Sequence, residues 1–324
     1  MSRRRARRVG VFAGATSKVR CTAQPAVEGA ALPRRAIASP LCLNSAMTLT
    51  PQEIERYKRH LVLKEVGGQG QQKLKAARVL LIGAGGLGSP VAMYLAAAGV
   101  GTIGVIDDDT VSLDNLQRQI AHDTRRVGMA KVESVRETAA ALNPHVKVET
   151  HNARLTAANA LEIIGKYDLV ADGSDNFATR YLVSDASYLA KRTLVFAAVG
   201  PFDGYVSTFK PHLTGADGKP MPTYRCLFPE APPPDGVFNC ADVGVLGSVV
   251  GVIGTLQATE VLKEILGLGE SMAGRLLVWD ALTTRFNEIR YAWDSDNPLN
   301  GEKPTIRDLS MHASGDGQAA VCAA

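Results

Sequence analysis

Residues 78–88, which read Arg-Val-Leu-Leu-Ile-Gly-Ala-Gly-Gly-Leu-Gly, decide the fold class of this chain. The apolar residues 79–82 follow one another without polar alternation, which is typical of a parallel strand covered on both faces. The glycines stand between this strand and an alanine-rich helix, where they permit a tight turn and leave helix N–H groups free to face a phosphate. We therefore assign four glycines to cofactor binding: Gly83, Gly85, Gly86 and Gly88.

The same order of strand and helix repeats through the first half of the chain. This repeat predicts a parallel sheet with helices on both faces. Later strands come in closely linked pairs, which is typical of antiparallel neighbours. The predicted strands are 78–82, 102–107, 146–150, 167–171, 193–199, 204–210, 275–280 and 285–292. The expected fold class is α/β, a Rossmann-like doubly wound, mostly parallel sheet continued by an antiparallel C-terminal half.

The first 46 residues differ in composition from the rest of the chain. They hold nine of the 36 Lys and Arg residues but one of the 32 Asp and Glu residues. Such a segment resembles an organellar transit peptide, although we prefer the interpretation that the start site is assigned too far upstream. Met47 opens a natural folded beginning, because Thr50 and Glu53 form a helix-capping box. In either case we expect 1–46 to be disordered and outside the fold.

The bulk composition is that of an ordinary globular protein, with 324 residues of which 46% are hydrophobic and 21% charged. The residues after 46 include 27 basic and 31 acidic side chains, so they have no general attraction to nucleic acid. The longest apolar run, 243–256, is shorter than the ~20 residues that cross a bilayer. Five scattered cysteines favour a reducing compartment. We expect a cytoplasmic protein that binds neither membrane nor nucleic acid.

The glycine turn alone fits a nicotinamide or flavin cofactor as readily as ATP. Asp107 ends the next predicted strand, where a carboxylate can accept the ribose hydroxyls of any of these cofactors. A dense polar cluster beyond that strand favours ATP, because guanidinium and ammonium groups neutralise a triphosphate and its leaving pyrophosphate. The cluster consists of Asn115, Gln117, Arg118, Gln119 and Lys131.

Asp175 follows a further predicted strand, at the same carboxyl edge of the sheet. Carboxylate oxygens are ligands that Mg²⁺ accepts, and a Mg²⁺ ion commonly lies between nucleotide phosphates and such a side chain. Asp175 is therefore the predicted metal ligand. The expected cofactors are ATP and Mg²⁺.

Several separate motifs closely resemble the MoeB/ThiF/HesA family, bacterial relatives of the ubiquitin-activating enzymes. The resemblance covers about residues 50–308, and the motifs occur in the family's order. They are Arg56-Tyr-Lys-Arg-His60, Gly67-Gly-Gln-Gly70, the Gly83–Gly88 turn, Asp107 through Gln119, Gly128–Lys131 and Ser174-Asp-Asn176. The resemblance implies an adenylyltransferase that works as a homodimer, each subunit binding one ubiquitin-like sulfur carrier of the MoaD or ThiS type.

The resemblance also implies a reaction and a set of roles. The terminal glycine carboxylate of the carrier would attack the α-phosphorus of ATP, forming an acyl-adenylate and releasing pyrophosphate. Positioning and charge neutralisation would supply most of the rate. Asp107 would hold the ribose, Asn115, Arg118, Gln119 and Lys131 would contact the nucleotide, Asp175 would bind Mg²⁺, and Arg59 would reach the triphosphate from the neighbouring subunit.

The cysteines depart from the family pattern. Relatives often carry two CxxC pairs that bind a structural zinc, and here these positions read Thr223-Tyr-Arg-Cys226 and Asn297-Pro-Leu-Asn300. One cysteine in four cannot complete the usual tetrahedral site, so we expect no zinc. Cys240 matches a position at which some relatives link covalently to the carrier, and it is a candidate catalytic residue. Whether Cys240 forms such a link stays open.

We expect 47–308 to form one adenylating domain, with a nucleotide-binding half at 47–190 and a carrier-binding half at 191–308. A flexible tail would follow at 309–324. The irregular stretch at 211–243 is where the family threads the tail of its carrier. The chain ends soon after the last predicted element, so we expect the sulfur donor to be a separate protein.

Three functions remain open at this level. Adenylation is favoured, and within it residues 111–119 read most like the MoeB branch, which acts on a MoaD-like carrier in molybdopterin synthesis. The same chemistry on a ThiS-like carrier in thiamine synthesis is the alternative. A nicotinamide-dependent oxidoreductase explains only the glycine turn and Asp107. A non-catalytic adaptor leaves the polar cluster without a role.

Overall fold

The computed structural model describes residues 48–230 and 244–315, and within these ranges the chain forms one eight-stranded sheet. The strands are β1 Arg78–Ile82, β2 Thr102–Ile106, β3 Lys147–His151, β4 Leu169–Asp172, β5 Thr193–Val199, β6 Asp203–Phe209, β7 Arg275–Asp280 and β8 Arg285–Arg290. The helices are α1 Pro51–Leu61, α2 Gly67–Ala76, α3 Gly88–Ala98, α4 Lys131–Leu142, α5 Ala160–Gly165, α6 Phe177–Leu189, α7 Tyr224–Leu227 and α8 Gly247–Leu266.

The strand order across the sheet is β3-β2-β1-β4-β5-β6-β7-β8. The first five strands pair in parallel, and the β5–β6, β6–β7 and β7–β8 pairs are antiparallel. The predicted fold class is therefore confirmed. From β1 the chain first adds strands on one side, β2 and β3, and then continues on the other side with β4 and β5. In such sheets ligands bind at the carboxyl ends of the strands beside this switch point.

The two cores explain why β1 is apolar from position 79 to position 82. Val79 and Leu81 face a core formed with α2, α3, α4 and α8. Leu80 and Ile82 face the opposite core, formed with α5 and α6. Successive strand residues point to opposite faces, so a strand covered on both sides has no polar position. No helix among the described residues is long and apolar enough to cross a membrane.

The described chain begins with two helices. The first ends at Leu61, and Gly67 to Gly70 form the first turn of α2. The capping box is present, since Glu53 N donates to Thr50 Oγ1 and Thr50 N to the Glu53 carboxylate. Glu53 and Tyr57 form the buried face of α1, whereas Ile54 is 48% exposed.

Candidate functional site

A cavity of about 580 Å³ opens at the carboxyl ends of β1, β2, β3 and β4. Its size is within the usual range for small-molecule sites. The lining combines the glycine turn with charged and polar side chains from the three segments that follow β2, β3 and β4. Among the predicted site residues it includes Gly83, Gly85, Gly86, Asp107, Arg118, Gln119, Lys131 and Asp175.

The glycine turn has its shape because side chains do not fit at three positions. Gly83 has a φ of +90°, a conformation that L residues rarely adopt. A Cβ on Gly88 would lie 2.0 Å from the Gly83 carbonyl oxygen, and one on Gly86 would lie 2.7 Å from Cγ1 of Val250. Gly88 begins α3 but is not among the residues that line the cavity. Its role is to close the turn, which brings the positive end of α3 to the cavity.

Asp107 lies just beyond β2 and faces the turn. Its Oδ2 accepts a hydrogen bond of 2.7 Å from Ala84 N–H, and its Oδ1 accepts one of 2.9 Å from Asp109 N–H. Burial raises the pKa of this carboxyl above its ordinary value, and the two backbone donors oppose that shift. The carboxylate is thus held in one orientation, with each oxygen able to accept a further hydroxyl hydrogen.

Two cationic side chains reach the cavity from the segment that follows β2. Lys131 is buried, and its ammonium lies 2.8 Å from Oδ2 of Asp109, which is mostly exposed. Arg118 donates from Nη1 to the Asp114 carbonyl at 3.0 Å. Both side chains line the same cavity as the glycine turn, so this wall of the cavity is suited to a polyphosphate.

The two amides predicted to bind nucleotide occupy different positions. Gln119 lines the cavity, and its Oε1 has no hydrogen-bond partner among the described residues. Asn115 is buried beneath the loop, where its Oδ1 accepts from Ser112 N–H at 3.4 Å. The cavity lining, as far as the structure describes it, does not include Asn115. Asn115 therefore stabilises the short turn at 112–115 rather than lining the cavity.

Asp175 stands exposed on the loop between β4 and α6 and lines the cavity. The loop is held from below by Asp172, whose Oδ1 accepts from Ser174 N–H at 2.9 Å. Burial raises the pKa of Asp172, and Gln257 of α8 donates to the Asp172 carbonyl at 2.8 Å. Hard carboxylate oxygens at Asp175, together with phosphate oxygens, form a donor set that fits Mg²⁺.

Sequence reasoning missed two arginines that line the cavity. Arg154 follows β3, and Arg180 lies in the first turn of α6. Arg180 is buried, donates from Nη2 to the Ser174 carbonyl at 3.1 Å, and has an Nε without a partner in the part of the chain described. The available signal was their position, because both follow carboxyl ends of predicted strands as Lys131 and Asp175 do.

Two predicted catalytic residues are not part of this cavity as described. Arg59 lies on α1, which does not contribute to the lining of the cavity among the described residues. Cys240 falls within 231–243 and lies outside the described residues. The proposed roles of both therefore stay predictions.

The positions that correspond to zinc ligands in the resembling family do come together. Thr223, Asn297 and Asn300 are buried, Cys226 is partly buried, and Asn297 contacts both residues of the other pair. One hydroxyl, one thiol and two amides do not make the thiolate, imidazole or carboxylate set that a structural zinc requires. The residues present do not fit zinc.

Comparison with known proteins bears on the cavity and the fold. The ThiF family model matches residues 57–299. A sulfur carrier protein adenylyltransferase of Thermus thermophilus is 48% identical over 263 residues, covering 81% of this chain and 96% of that protein. A probable adenylyltransferase/sulfurtransferase, MoeZ, of Mycobacterium tuberculosis is 46% identical over 259 residues, covering 80% of this chain but only 65% of its own length.

A solved structure gives a more distant match. Escherichia coli MccB in complex with MccA-N7isoAsn superposes with a TM-score of 0.66 at 20% sequence identity, covering 76% of this chain and 74% of that one. At this identity the likeness concerns the fold alone.

Proposed function

The chain belongs to the ThiF family, and we propose that it uses ATP to adenylate the C-terminal glycine of a ubiquitin-like sulfur-carrier protein. The observation that carries the proposal is a single cavity in which the glycine turn meets Asp107, Arg118, Lys131 and Asp175. A nicotinamide enzyme has no use for this set of charges beside the turn. The relative named a sulfur carrier protein adenylyltransferase supports the chemistry and the class of substrate.

In the proposed complex the ribose hydroxyls bind Asp107, whose carboxylate is already oriented by two backbone N–H groups. The triphosphate lies across the N-terminus of α3, between Arg118 and Lys131. Lys131 exchanges its contact with Asp109 for a phosphate oxygen, which is possible because Asp109 is largely exposed. Asp175 would hold Mg²⁺, which would supply further charge neutralisation.

The reaction in this proposal needs no strong base. The carboxylate of the carrier is ionised at neutral pH and attacks the α-phosphorus, while the bond to pyrophosphate breaks. Arg118 and Lys131 stabilise the charge that gathers on the leaving pyrophosphate. The buried Arg180 donates from Nη2 to the Ser174 carbonyl, and so it is available to orient the loop of Asp175 during the same step.

We propose that the active unit is a homodimer in which Arg59 acts on the neighbouring subunit's cavity. Arg59 lies on α1, outside the cavity lining of its own chain as described. Large apolar side chains are exposed around this helix, with Ile54 48%, Val62 75% and Leu63 49% exposed. Such side chains favour burial against a second copy.

The carrier we propose is MoaD-like, within molybdopterin biosynthesis, because residues 111–119 read most like the MoeB branch. A ThiS-like carrier is the alternative. The nucleotide-binding half would comprise 47–190 and the carrier-binding half 191–308, with Cys240 available to a covalent step. Sulfur would come from a separate donor, and the scattered cysteines support a cytoplasmic location.

ATP–pyrophosphate exchange tests this proposal. The full chain is assayed with a MoaD-like carrier and with a ThiS-like carrier, beside the variant Asp175→Ala. Asp296→Ala, at an exposed aspartate outside the cavity lining described, is the matched control. We expect exchange that depends on one carrier and is lost only in Asp175→Ala. Folded protein that binds a carrier without exchange would overturn the enzymatic function.

A further inference from the structure

A buried polar cluster joins two parts of the chain that are far apart in sequence. Asn297, after β8, donates from Nδ2 to Thr223 Oγ1 at 2.8 Å and contacts Cys226 Sγ at 2.9 Å. Thr223 caps α7, so the contact connects the segment after β8 to the segment after β6. Thr223 is 0% exposed and Asn297 is 2% exposed. Thr223 and Asn297 are therefore shielded from water and need hydrogen-bond partners within the protein.

The orientation of the Asn297 amide is determined by its neighbours. Its Oδ1 accepts hydrogen bonds from Leu299 N–H at 2.8 Å and from Asn300 N–H at 3.4 Å. The carbonyl side is thus directed at backbone donors, and the NH₂ side is directed at Thr223 and Cys226. A flipped amide would place its NH₂ against two backbone N–H groups, which is unfavourable.

The sulfur of Cys226 accepts from a second donor as well. Thr223 N–H donates to Cys226 Sγ at 3.4 Å, so the sulfur lies between that N–H and the Asn297 amide. Asn300 completes the cluster by donating from Nδ2 to the Met221 carbonyl at 3.0 Å. Hydrogen bonds thus join Thr223, Cys226 and Asn297, and the centre of the cluster holds donor hydrogens. Asn300 adjoins them through its backbone N–H, and its buried Oδ1 has no partner among the described residues.

A metal ion at the centre of this cluster would break the hydrogen bonds that Asn297 donates to Thr223 and Cys226. Structural zinc needs four lone pairs directed at one point, from thiolates, imidazoles or carboxylates. Here the NH₂ of Asn297 presents positive hydrogens, and Cys226 is the one thiol. Elsewhere in 48–230 and 244–315, the group of His, Cys, Asp or Glu side chains close enough to share an ion is Asp107, Asp108 and Asp109, at the cavity.

We propose that in this chain a metal-free knot of Thr223, Cys226, Asn297 and Asn300 performs the cross-linking that zinc performs in the resembling family. The knot fastens the 297–300 turn to α7. On its other side α7 is fastened to α6, because Arg225 donates to both oxygens of the buried Asp185, at 2.9 and 2.7 Å. Since α6 begins beside Asp175, the knot supports the helix that carries one wall of the cavity. Its integrity depends on no ion.

The first test is metal content and thermal unfolding of the full chain. We expect less than a tenth of a zinc ion per chain after zinc loading and desalting, and the same Tm with and without a strong chelator. Asn297→Ala should lower Tm by roughly 5 °C, because it leaves buried partners unsatisfied. Asn287→Ala, at an exposed asparagine on β8, should leave Tm unchanged.

One zinc ion per chain that is lost in Cys226→Ser would overturn the proposal. So would an Asn297→Ala variant as stable as the Asn287→Ala control. These readouts do not involve catalysis, so the knot stands or falls independently of the proposed adenylation.

A second test restores the metal ligands. The triple variant T223C/N297C/N300C, with the native Cys226, should bind one zinc per chain and should lose stability when a chelator is added. Zinc uptake would show that the knot occupies the position of a metal site. A folded triple variant that takes up no zinc would contradict that placement.

Discussion

The ammonium of Lys131 lies 2.8 Å from the carboxylate of Asp109, inside the cavity proposed to bind ATP. Lys131 is 6% exposed whereas Asp109 projects into the open part of the cavity. Asp109 thus pairs with the cation that contacts phosphate in the proposed complex. If the proposal holds, Asp109 competes with the nucleotide for Lys131.

Replacing Asp109 by Asn should strengthen nucleotide binding. The change frees Lys131 and removes a negative charge from the cavity. Because Asp109 is mostly exposed, solvent weakens the ion pair and limits the gain to roughly two- to fivefold in Kd. Titration calorimetry with ATP and Mg²⁺ measures the effect. Asp108→Asn is the control, since Asp108 also lines the cavity but has no ion pair with Lys131. Equal gains in both variants would show that Asp109 does not hold Lys131 away from phosphate.

Mixed dimers should reveal whether Arg59 serves the neighbouring subunit. Arg59→Ala and Asp175→Ala homodimers should each lack exchange activity. A dimer with one chain of each kind should have one complete site, so random pairing should restore about a quarter of wild-type activity. Co-expression of two differently tagged chains followed by the exchange assay gives the measurement.

The same experiment has a defined negative outcome. If Arg59 acted within its own chain, both sites of the mixed dimer would be defective and no activity would return. Lys58→Ala is the matched control for Arg59, because Lys58 is the exposed neighbour on α1 and pairs with Glu55. It should retain activity as a homodimer.

Protonation of His122 should destabilise the fold below neutral pH. His122 is buried beneath the glycine turn, where Nε2 lies 2.9 Å from the Ala84 carbonyl and Nδ1 lies 2.8 Å from Ser134 Oγ. Burial lowers the pKa of His122, and the charges of Lys131 and Arg126 lower it further. In the neutral ring Nε2–H donates to Ala84 and Nδ1 accepts from Ser134.

The sign of the pH dependence follows from that lowered pKa. Above pH ~6.5 the ring is neutral in both the folded and the unfolded chain, so His122 has no effect on stability there. As the pH falls below that value, the unfolded chain gains a proton that the folded chain resists, and stability decreases. Urea unfolding between pH 7.5 and 5.5 should therefore show a smaller loss in His122→Gln than in wild type. His145→Gln, at an exposed histidine, should keep the wild-type loss.

Gly88→Ala should prevent stable folding. The added Cβ would lie 2.0 Å from the Gly83 carbonyl oxygen, which is backbone and cannot rotate away. We expect a loss of at least about 3 kcal/mol in the free energy of unfolding, measured by urea denaturation or as absence of folded protein. Gly165→Ala is the control, because no described atom lies within 4 Å of its Cβ position. A Gly88→Ala protein as stable as this control would contradict the packing of the turn.

Several features of this protein are determined by short stretches of sequence. The apolar run 79–82, the glycines that follow it and the acid at 107 act through local backbone sterics and strand burial, so they predict a parallel strand and a nucleotide turn before any tertiary contact is known. The capping box at Thr50 and Glu53 is local in the same sense and is present as expected.

Tertiary structure decided which polar residues meet. Arg180 and Lys131 line one cavity although they lie on helices that follow different strands. Asn115 lies close to Arg118 in sequence but is buried, with its side chain bonded within its own loop. No local pattern specifies such choices, because they depend on how helices pack against the sheet.

The knot of Thr223, Cys226, Asn297 and Asn300 shows both what residue types determine and what only tertiary structure decides. The residue types at 223, 226, 297 and 300 were enough to exclude a zinc ligand set, since ligand chemistry is a property of each side chain. That Asn297 would direct its amide at Thr223 and Cys226 could not be read from the chain, because the partners are 74 and 71 residues away. Burial by the folded sheet removes water from these groups, and only then does each need the other as its hydrogen-bond partner.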